Sequence, residues 1–504
     1  MSDFFLSKNQ KRWLYAVLLF TGLTRLLTLG AYPLFDKTEA RYAEIAREMA
    51  ATNNWITPQF DYGTPFWGKP PLSTWVTAFF LKLFGVNEFA ARFSSLLFAL
   101  GIVWLTYRLA LSRQHRDYAL TVPAILSTSA LFFVAGGCVM TDAALSFGTT
   151  LAMVSFWLAV RDGANPDRFW GYLFFVGLAI GLLAKGPVAI VLTGLPIVVW
   201  VALEKQWECV WRRLPWLTGS LLVIVIALPW YLAAERATPG FLQYFIIGEH
   251  LKRFTESGWK GDLYGQGHAH PFGTIWFYWF LATFPWCFVF FGMLLRTGRK
   301  IRELLRNEWL LYLALWTVAP MIFFSFTANI LWTYVLPGLP AFSLILVELL
   351  SADRNSSGCR THDWQGISIS LITPTVFCLG LLFLPSTIVA KKTQKGVIAK
   401  YLDLRPALTS KLIYLGKIPY SAEFYSQGTA QTVATPEKLK PYLSDNQENF
   451  FVISKRGLLI LQKDEKDNLS KVGDYGEYQL LVSKNRSGGI VNMALSNPVR
   501  LKEF

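Results

Sequence analysis

Asp36, Glu39, Lys69, Asp142, Lys185, Glu249, His250, Arg253, His268, His270 and Tyr334 are the side chains of this sequence that could do chemistry together, because all fall at or near the same face of a set of hydrophobic segments. The densest stretch, Asp36-Lys-Thr-Glu39-Ala-Arg41-Tyr42-Ala-Glu44-Ile-Ala-Arg47-Glu48-Met49, follows the first apolar run directly. Charge beside a bilayer is costly and is often kept for function, although a solvated loop also tolerates it. Carboxylates and cations gathered on one face suit a substrate that is anionic, lipid-borne or both. The loops of the opposite face carry basic residues and little else.

The elements that must hold these residues are membrane-spanning helices. Of 504 residues, 53% are hydrophobic, with 20 Trp and 39 Phe, and several apolar runs have spanning length. Lys8, Lys11 and Arg12 precede a run from about Trp13 to Gly30, which places the N-terminus in the cytosol and the loop from Tyr32 outside. Later basic groups fall on the side this orientation requires: Arg108, Arg113, His115 and Arg116, then Arg161 and Arg168 beside Asp162, then Lys205, Arg212 and Arg213, then Arg296, Arg299, Lys300, Arg302 and Arg306. The pattern predicts a polytopic α-helical membrane protein with about eleven crossings, or about 11–13 if interfacial and broken helices are counted.

Residues 1–390 form this membrane part. Its first outer loop, 32–88, contains an acidic helix and the stretch Pro70 to Gly85, which is short for a span and reads as interfacial or re-entrant. A second long outer loop covers 234–271. Thr141-Asp142, Lys185-Gly186-Pro187 and Thr327-Ala328-Asn329 are turns on the same face. From about Lys391 the composition becomes soluble. Lys411-Leu-Ile-Tyr-Leu, Asn449-Phe-Phe-Val-Ile-Ser and Tyr478-Gln-Leu-Leu-Val-Ser read as strands, and Thr435-Pro436-Glu437 reads as a helix start. Residues 391–504 are therefore expected to be a small periplasmic α/β domain.

The formal charge of +15 sits largely in short loops between apolar runs, so it reflects membrane orientation and argues against nucleic acid as a partner. The five cysteines, at 138, 209, 287, 359 and 378, show no CxxC spacing and indicate neither a disulfide framework nor a thiolate zinc site. The first apolar run lacks a cleavage site of small residues and reads as a retained helix.

Several motifs in order, Thr38-Glu-Ala-Arg-Tyr-Ala-Glu-Ile-Ala-Arg-Glu-Met49, Trp55-Ile-Thr-Pro58, Trp67-Gly-Lys-Pro-Pro71, Phe84-Gly-Val-Asn-Glu-Phe-Ala-Ala-Arg92, Thr141-Asp-Ala143, Ala184-Lys-Gly-Pro187, Glu249-His-Leu-Lys-Arg-Phe254 and Thr333-Tyr-Val-Leu-Pro337, resemble the lipid A aminoarabinose transferases. More broadly they resemble the bacterial relatives of protein O-mannosyltransferases, in the GT-C class of glycosyltransferases. The resemblance implies a sugar moved from a polyprenyl-phosphate carrier, such as undecaprenyl phosphate, to an acceptor at the outer face of the bacterial inner membrane.

Residue by residue, the resemblance implies that Glu39, with Asp36 supplying a second charge, activates or orients the acceptor. An acidic first helical turn on the helix dipole is the plainer reading of Glu39. Asp142 has an acceptor- or sugar-site role in competition with N-capping. Lys69, Arg253 and Tyr334 would bind the carrier phosphate, where a flexible point charge and a planar fork both suit phosphate oxygens. Arg41, Tyr42, Lys185, Glu249 and His250 would line the substrate cavity. The family glutamate that precedes the lysine and is associated with a metal is replaced here by Gly68, so no cofactor is required by the resemblance. A divalent metal at His250, His268 and His270 is the alternative. The family's basic residue before the Leu-Thr-Tyr turn appears as Asn329.

The reaction expected is an inverting displacement at the anomeric carbon by a monomeric enzyme, with lipid A or another envelope glycolipid as acceptor. A protein O-glycosyltransferase of the same class is the first alternative. A non-enzymatic lipid or solute transporter is the second, which repeated halves and charges spread along a pathway would favour.

Overall fold

The computed structural model describes residues 6–484 apart from 114–115, 162–166, 257–258, 266–269, 298–305, 328, 358–361, 405, 408 and 446. His115, Asp162, His268, Arg299, Lys300, Arg302, Ala328 and Cys359 lie outside the described residues.

The first helix, α1 (Lys8–Thr28), starts at a reciprocal cap. Gln10 N–H donates to Ser7 Oγ at 3.2 Å, and Ser7 N–H donates to Gln10 Oε1 at 2.7 Å. Its inward face carries Gln10, Thr21, Thr24 and Arg25 beside Leu14 and Val17, while Leu19, Leu23 and Leu27 face out. Polar atoms inside and leucines outside is the arrangement a hydrocarbon solvent imposes. The chain continues through α2 (Thr38–Thr52), α3 (Leu72–Phe84), α4 (Glu88–Leu111), α5 (Arg116–Thr128), α6 (Ala130–Ala135), α7 (Thr141–Arg161), α8 (Arg168–Lys185) and α9 (Val188–Leu203).

Among the described residues, 6 helices are long and apolar enough to cross a bilayer: α4, α7, α8, Trp216–Ala237, Glu308–Ser325 and Trp332–Asp353. The helices Thr274–Ala282 and Trp286–Arg296 meet at 103° and add a seventh if they form one span. Shorter apolar helices include α3, α9 and Ser368–Leu382, while α1 occupies the first apolar run of the sequence and α5 and α6 separate at Ser129. The chain is a multi-pass, mainly helical membrane protein.

Helix α7 is the centre of the bundle, with 94% of its spanning window buried. It meets α8 with backbones in contact, because glycines face each other across the seam. A Cβ at Gly148 would stand 2.7 Å from Gly181 N, and one at Gly177 would stand 2.5 Å from Ala152 N. Gly177→Val is therefore expected to cost about 1–3 kcal/mol by overpacking, read as a lower melting temperature in detergent. Gly194→Ala, on α9 with nothing within 4 Å of the added Cβ, is the matched control and should melt like the parent.

The first long loop is filled by α2 and α3. Ala40, Ala43 and Ala46 are fully buried on the inner face of α2, and the 13 residues of α3 span about 20 Å, too short for a crossing. Phe79, Leu83 and Phe84 project from α3 as exposed apolar groups, the face an interfacial helix needs. The region 234–271, read from sequence as an open loop, differs from expectation. It contains a π-helical turn, Tyr244–Lys252, seated on Phe241 and Phe245, which stack at 5.5 Å and pack under Trp230 and Tyr231. A nine-residue π-turn has no hydrophobic period long enough to read from sequence.

The C-terminal part is a five-stranded sheet of order β4-β3-β5-β7-β6, numbered after a small hairpin of β1 (Gln59–Asp61) and β2 (Thr64–Pro65). Its strands are β3 (Leu412–Leu415), β4 (Gln431–Val433), β5 (Phe450–Ser454), β6 (Leu469–Tyr475) and β7 (Tyr478–Ser483). The β3 strand runs parallel to β4 and β5, and β7 runs antiparallel to β5 and β6. Thr435 and Pro436 do open a turn, but it is a 3₁₀ turn, Pro436–Leu439, continued by Lys440–Ser444.

This sheet domain is fastened to the first long loop by polar contacts. Ser421 N–H donates to Asp36 at 3.0 Å, Leu34 N–H donates to Tyr425 Oη at 2.8 Å, and Glu88 takes Tyr425 Oη–H at 2.8 Å and Lys395 at 2.6 Å. Beside them, Glu44 pairs with Arg47 at 2.6 Å, with Glu48, Asp61, Tyr62 and Glu423 close by. Burial, then the neighbouring Glu44, pushes the Glu423 carboxyl up to about 8 and the Glu48 carboxyl up to about 7. The folded chain thus keeps protons that the unfolded chain releases near the ordinary value of 4.5, so this contribution to stability falls as pH rises toward 8. Glu423→Gln is expected to raise the melting temperature by about 2–4 °C at pH 8 and to leave it unchanged at pH 5.

Candidate active site

Lys69 follows α2 and the β1–β2 hairpin, and the segment Trp67-Gly68-Lys69-Pro70 is held from below. Trp67 N–H donates to Tyr264 Oη at 2.9 Å, and its indole N–H donates to Thr238 Oγ1 at 3.0 Å. The Lys69 ammonium meets Glu249 of the π-turn at 2.9 Å, across 180 residues of sequence. Arg253, one helical turn on, donates its Nη1–H to both Glu249 oxygens at 3.0 and 2.9 Å, and its Nε stands 3.6 Å from Asp262. Glu249 has only 3% of its side chain exposed, whereas Lys69 keeps 18% and Arg253 24%. The carboxylate is therefore the buried anchor; Lys69 gives a second ammonium hydrogen to the Gly68 carbonyl at 2.5 Å, and both cations reach the space beside it.

That space is a cavity of about 260 Å³ lined by Lys69, Lys185, Glu249, His250, Arg253, Asn329 and Tyr334, with Val188, Val191, Phe323 and Phe324 as its apolar wall. Burial pushes the Glu249 carboxyl up, but Lys69 and Arg253 outweigh it and hold it below the usual carboxylate range. Burial opposes the charge on Arg253 as well, yet Glu249 and Asp262 raise its pKa, so the guanidinium stays charged.

Lys185 closes α8, and Gly186, at φ +85°, turns the chain into α9. A Cβ at Gly186 would stand 2.6 Å from the Phe245 ring, so that side chain of the π-segment packs directly on the backbone of the turn. Lys185 pairs with Asp142 at the start of α7, and its ammonium lies 4.4 Å from the centroid of the Tyr334 ring. Asn329 donates to the Arg253 carbonyl and fixes the turn that carries Tyr334. The cavity is thus assembled from the start of α7, the α8–α9 turn, the π-segment and the Trp332–Gly338 turn.

Other residues singled out from sequence stand elsewhere. Glu39 does not line this cavity. It faces Arg92 in a two-pronged pair at 2.8 and 2.9 Å and also accepts the N–H groups of Phe35 and Val139, both at 3.3 Å. Arg92, fully buried, gives its remaining N–H groups to the carbonyls of Leu29, Tyr32 and Pro33 at 2.7–2.9 Å. With four donors of the protein on its two oxygens, Glu39 holds the loop in this conformation. Asp36 is likewise displaced: its two oxygens take the N–H and hydroxyl of Ser421, which makes it a domain fastener. Arg41 donates to the Tyr264 carbonyl at 2.9 Å, and Tyr42 packs against Phe66, so both support the walls and not the lining. Arg92, which anchors Glu39, and Asp262, which stands beside Arg253, are the partners that sequence reasoning left without a role. The Phe84–Arg92 motif carried the first, and no signal marked the second.

The residues do not fit the metal that the family glutamate would bring. Gly68 offers no ligand, and a Cβ there would stand 3.0 Å from the Phe66 ring. Both His250 nitrogens face carbonyls, Phe245 O at 2.8 Å and Lys185 O at 3.1 Å, and burial lowers the ring's pKa. His270 lies apart, against the Tyr278 hydroxyl at 3.3 Å. Among the described residues no group of three His, Cys, Asp or Glu is arranged to hold an ion. The chemistry open to the cavity is electrostatic: two half-buried cations for a phosphate, an aromatic hydroxyl, and a nearby carboxylate paired with lysine.

Residues 12–245 match the dolichyl-phosphate-mannose-protein mannosyltransferase family. The undecaprenyl phosphate-α-4-amino-4-deoxy-L-arabinose arabinosyl transferase of Erwinia tasmaniensis is 34% identical over 348 residues, 66% of this chain. The chain spans 59% of that relative's length. The enzyme of the same name from Aeromonas salmonicida is 33% identical over 403 residues, covering 76% of this chain and 69% of the relative. A crystal structure of ArnT from Cupriavidus metallidurans bound to undecaprenyl phosphate superimposes with a TM-score of 0.74 at 18% identity, covering 95% of this chain and 99% of that one, which shows the shared fold. With a relative one-third identical over more than two-thirds of its length, and the same architecture from end to end, the chain belongs to the aminoarabinose transferase family of GT-C membrane glycosyltransferases.

Proposed function

We propose that this protein transfers a sugar from undecaprenyl phosphate to lipid A or another envelope glycolipid, at the periplasmic face of the bacterial inner membrane. The observation that carries the reading is the convergence of Lys69 and Arg253 on Glu249 at the rim of one cavity, with Tyr334 and Lys185 opposite. The carrier phosphate would sit against the unused donors of Lys69 and Arg253. The acceptor oxygen attacks the anomeric carbon, the bond to the phosphate oxygen breaks, and its electron pair stays on the phosphate. Both cations offset that charge as it grows. Asp142, held by Lys185, is the carboxylate next to the cavity that could align the acceptor or take the proton of an acceptor hydroxyl. No step calls for a metal. The apolar wall of Val188, Val191, Phe323 and Phe324 suits the first isoprenes of a carrier.

The test is direct. Purified protein in lipid nanodiscs is given undecaprenyl phosphate carrying a labelled aminoarabinose, with lipid A or a peptide as acceptor. Label on lipid A together with released undecaprenyl phosphate supports the proposal. Label on peptide alone moves the protein to O-glycosylation of proteins. Movement of the intact donor without cleavage would make it a transporter.

A further inference from the structure

A second lipid-facing feature lies away from the cavity, in an apolar groove of about 420 Å³ between α1, α4 and α5. Its walls include Leu18, Leu100, Val103 and Trp104, and its floor opens at Gly22, where an added Cβ would meet nothing within 4 Å. One charged residue lines it: Arg25, in the last turn of α1 and only 4% exposed. Its Nη2–H groups reach Tyr32 Oη at 3.3 Å and the Val134 carbonyl at 3.2 Å, and its guanidinium lies 5.4 Å from the Phe133 ring and 5.0 Å from the Phe377 ring. Nε and Nη1 are buried without a hydrogen-bond partner, and no carboxylate among the described residues pairs with this cation.

A buried, unpaired arginine is costly in a membrane protein and calls for an anion. Its place, about one turn from the end of α1, is headgroup depth, since the chain leaves the bundle at Tyr32 to form the first long loop. Gly137 lets it reach that place, because a Cβ there would coincide with the guanidinium. We propose that this groove is a binding site for a bilayer phospholipid, one acyl chain lying along Gly22 and Leu100 and the phosphate facing Arg25. The complementarity is one of charge and shape: a single cation in a mostly apolar slot. The groove shares no lining residue with the cavity, so its occupant is a resident lipid and not the sugar donor.

The experiment is native mass spectrometry of delipidated protein after addition of dioleoyl phosphatidylglycerol or dioleoylglycerol, which lacks the phosphate. Wild type should retain one phosphatidylglycerol about tenfold more than the diglyceride. Gly22→Leu, which fills the slot without touching Arg25, and Arg25→Met, which removes the cation, should each lose most of that adduct. A melting curve like the parent's would show that Gly22→Leu is folded, which keeps the test valid should Arg25→Met not fold. Equal retention by Gly22→Leu and wild type, equal binding of the diglyceride, or displacement of phosphatidylglycerol by lipid A at equal concentration would overturn the proposal. The last outcome would make the groove an acceptor site.

Discussion

Lys69→Ala is expected to lower kcat for sugar transfer by about 100- to 1000-fold, the usual effect of removing one donor from the site where charge develops. The loss should fall mainly on kcat, because the phosphate gains charge as the anomeric bond breaks and the missing ammonium is felt most there. Folding should survive, since Lys69 is partly exposed and Glu249 keeps Arg253 as a partner. Lys69→Arg preserves the charge but changes a flexible point donor into a planar fork and should recover only part of the rate. The measurement is release of undecaprenyl phosphate by variants whose melting curves match the parent. Unchanged kcat in Lys69→Ala would remove the cavity as the site of the proposed transfer.

Glu39→Ala is expected to act through folding. It leaves Arg92, fully buried, without the one carboxylate that pairs with it among the described residues, and breaking a buried pair from one side costs about 3–5 kcal/mol. The three carbonyls of Leu29, Tyr32 and Pro33 keep part of the guanidinium satisfied, which places the effect toward the lower figure. The melting temperature should drop, and activity should fall in parallel with the folded fraction. Glu39→Gln keeps the shape and two of the four contacts and should lose less of both. A Glu39→Ala protein that melts like wild type yet transfers no sugar would instead return Glu39 to the chemistry, with the present pair opening during turnover.

The two variants separate what hydropathy and motif order make legible from what depends on packing. Lys69, Lys185, Glu249, His250, Arg253 and Tyr334 could be picked out together because their side of the membrane follows from counting apolar runs and basic loops, a property carried residue by residue along the chain. The strands at 412–415, 450–454 and 478–483 were legible for a similar reason, since short β-branched and aromatic runs between turn residues need no distant partner to be recognised. Asp36 and Glu39 were not. Both look like free carboxylates in a charged loop, and what removes them from the cavity is Ser421, 385 residues away, and Arg92, 53 residues away.

Residue types and their order therefore account for the membrane embedding and the family, because the bilayer acts on each segment separately. Which cation meets which carboxylate is a property of the folded bundle alone. The glycine seam of α7 and α8, the π-turn under Glu249 and the sheet domain clasping the first loop all depend on contacts between distant segments, and those contacts set whether an acidic side chain is a base, a buried anchor or a fastener.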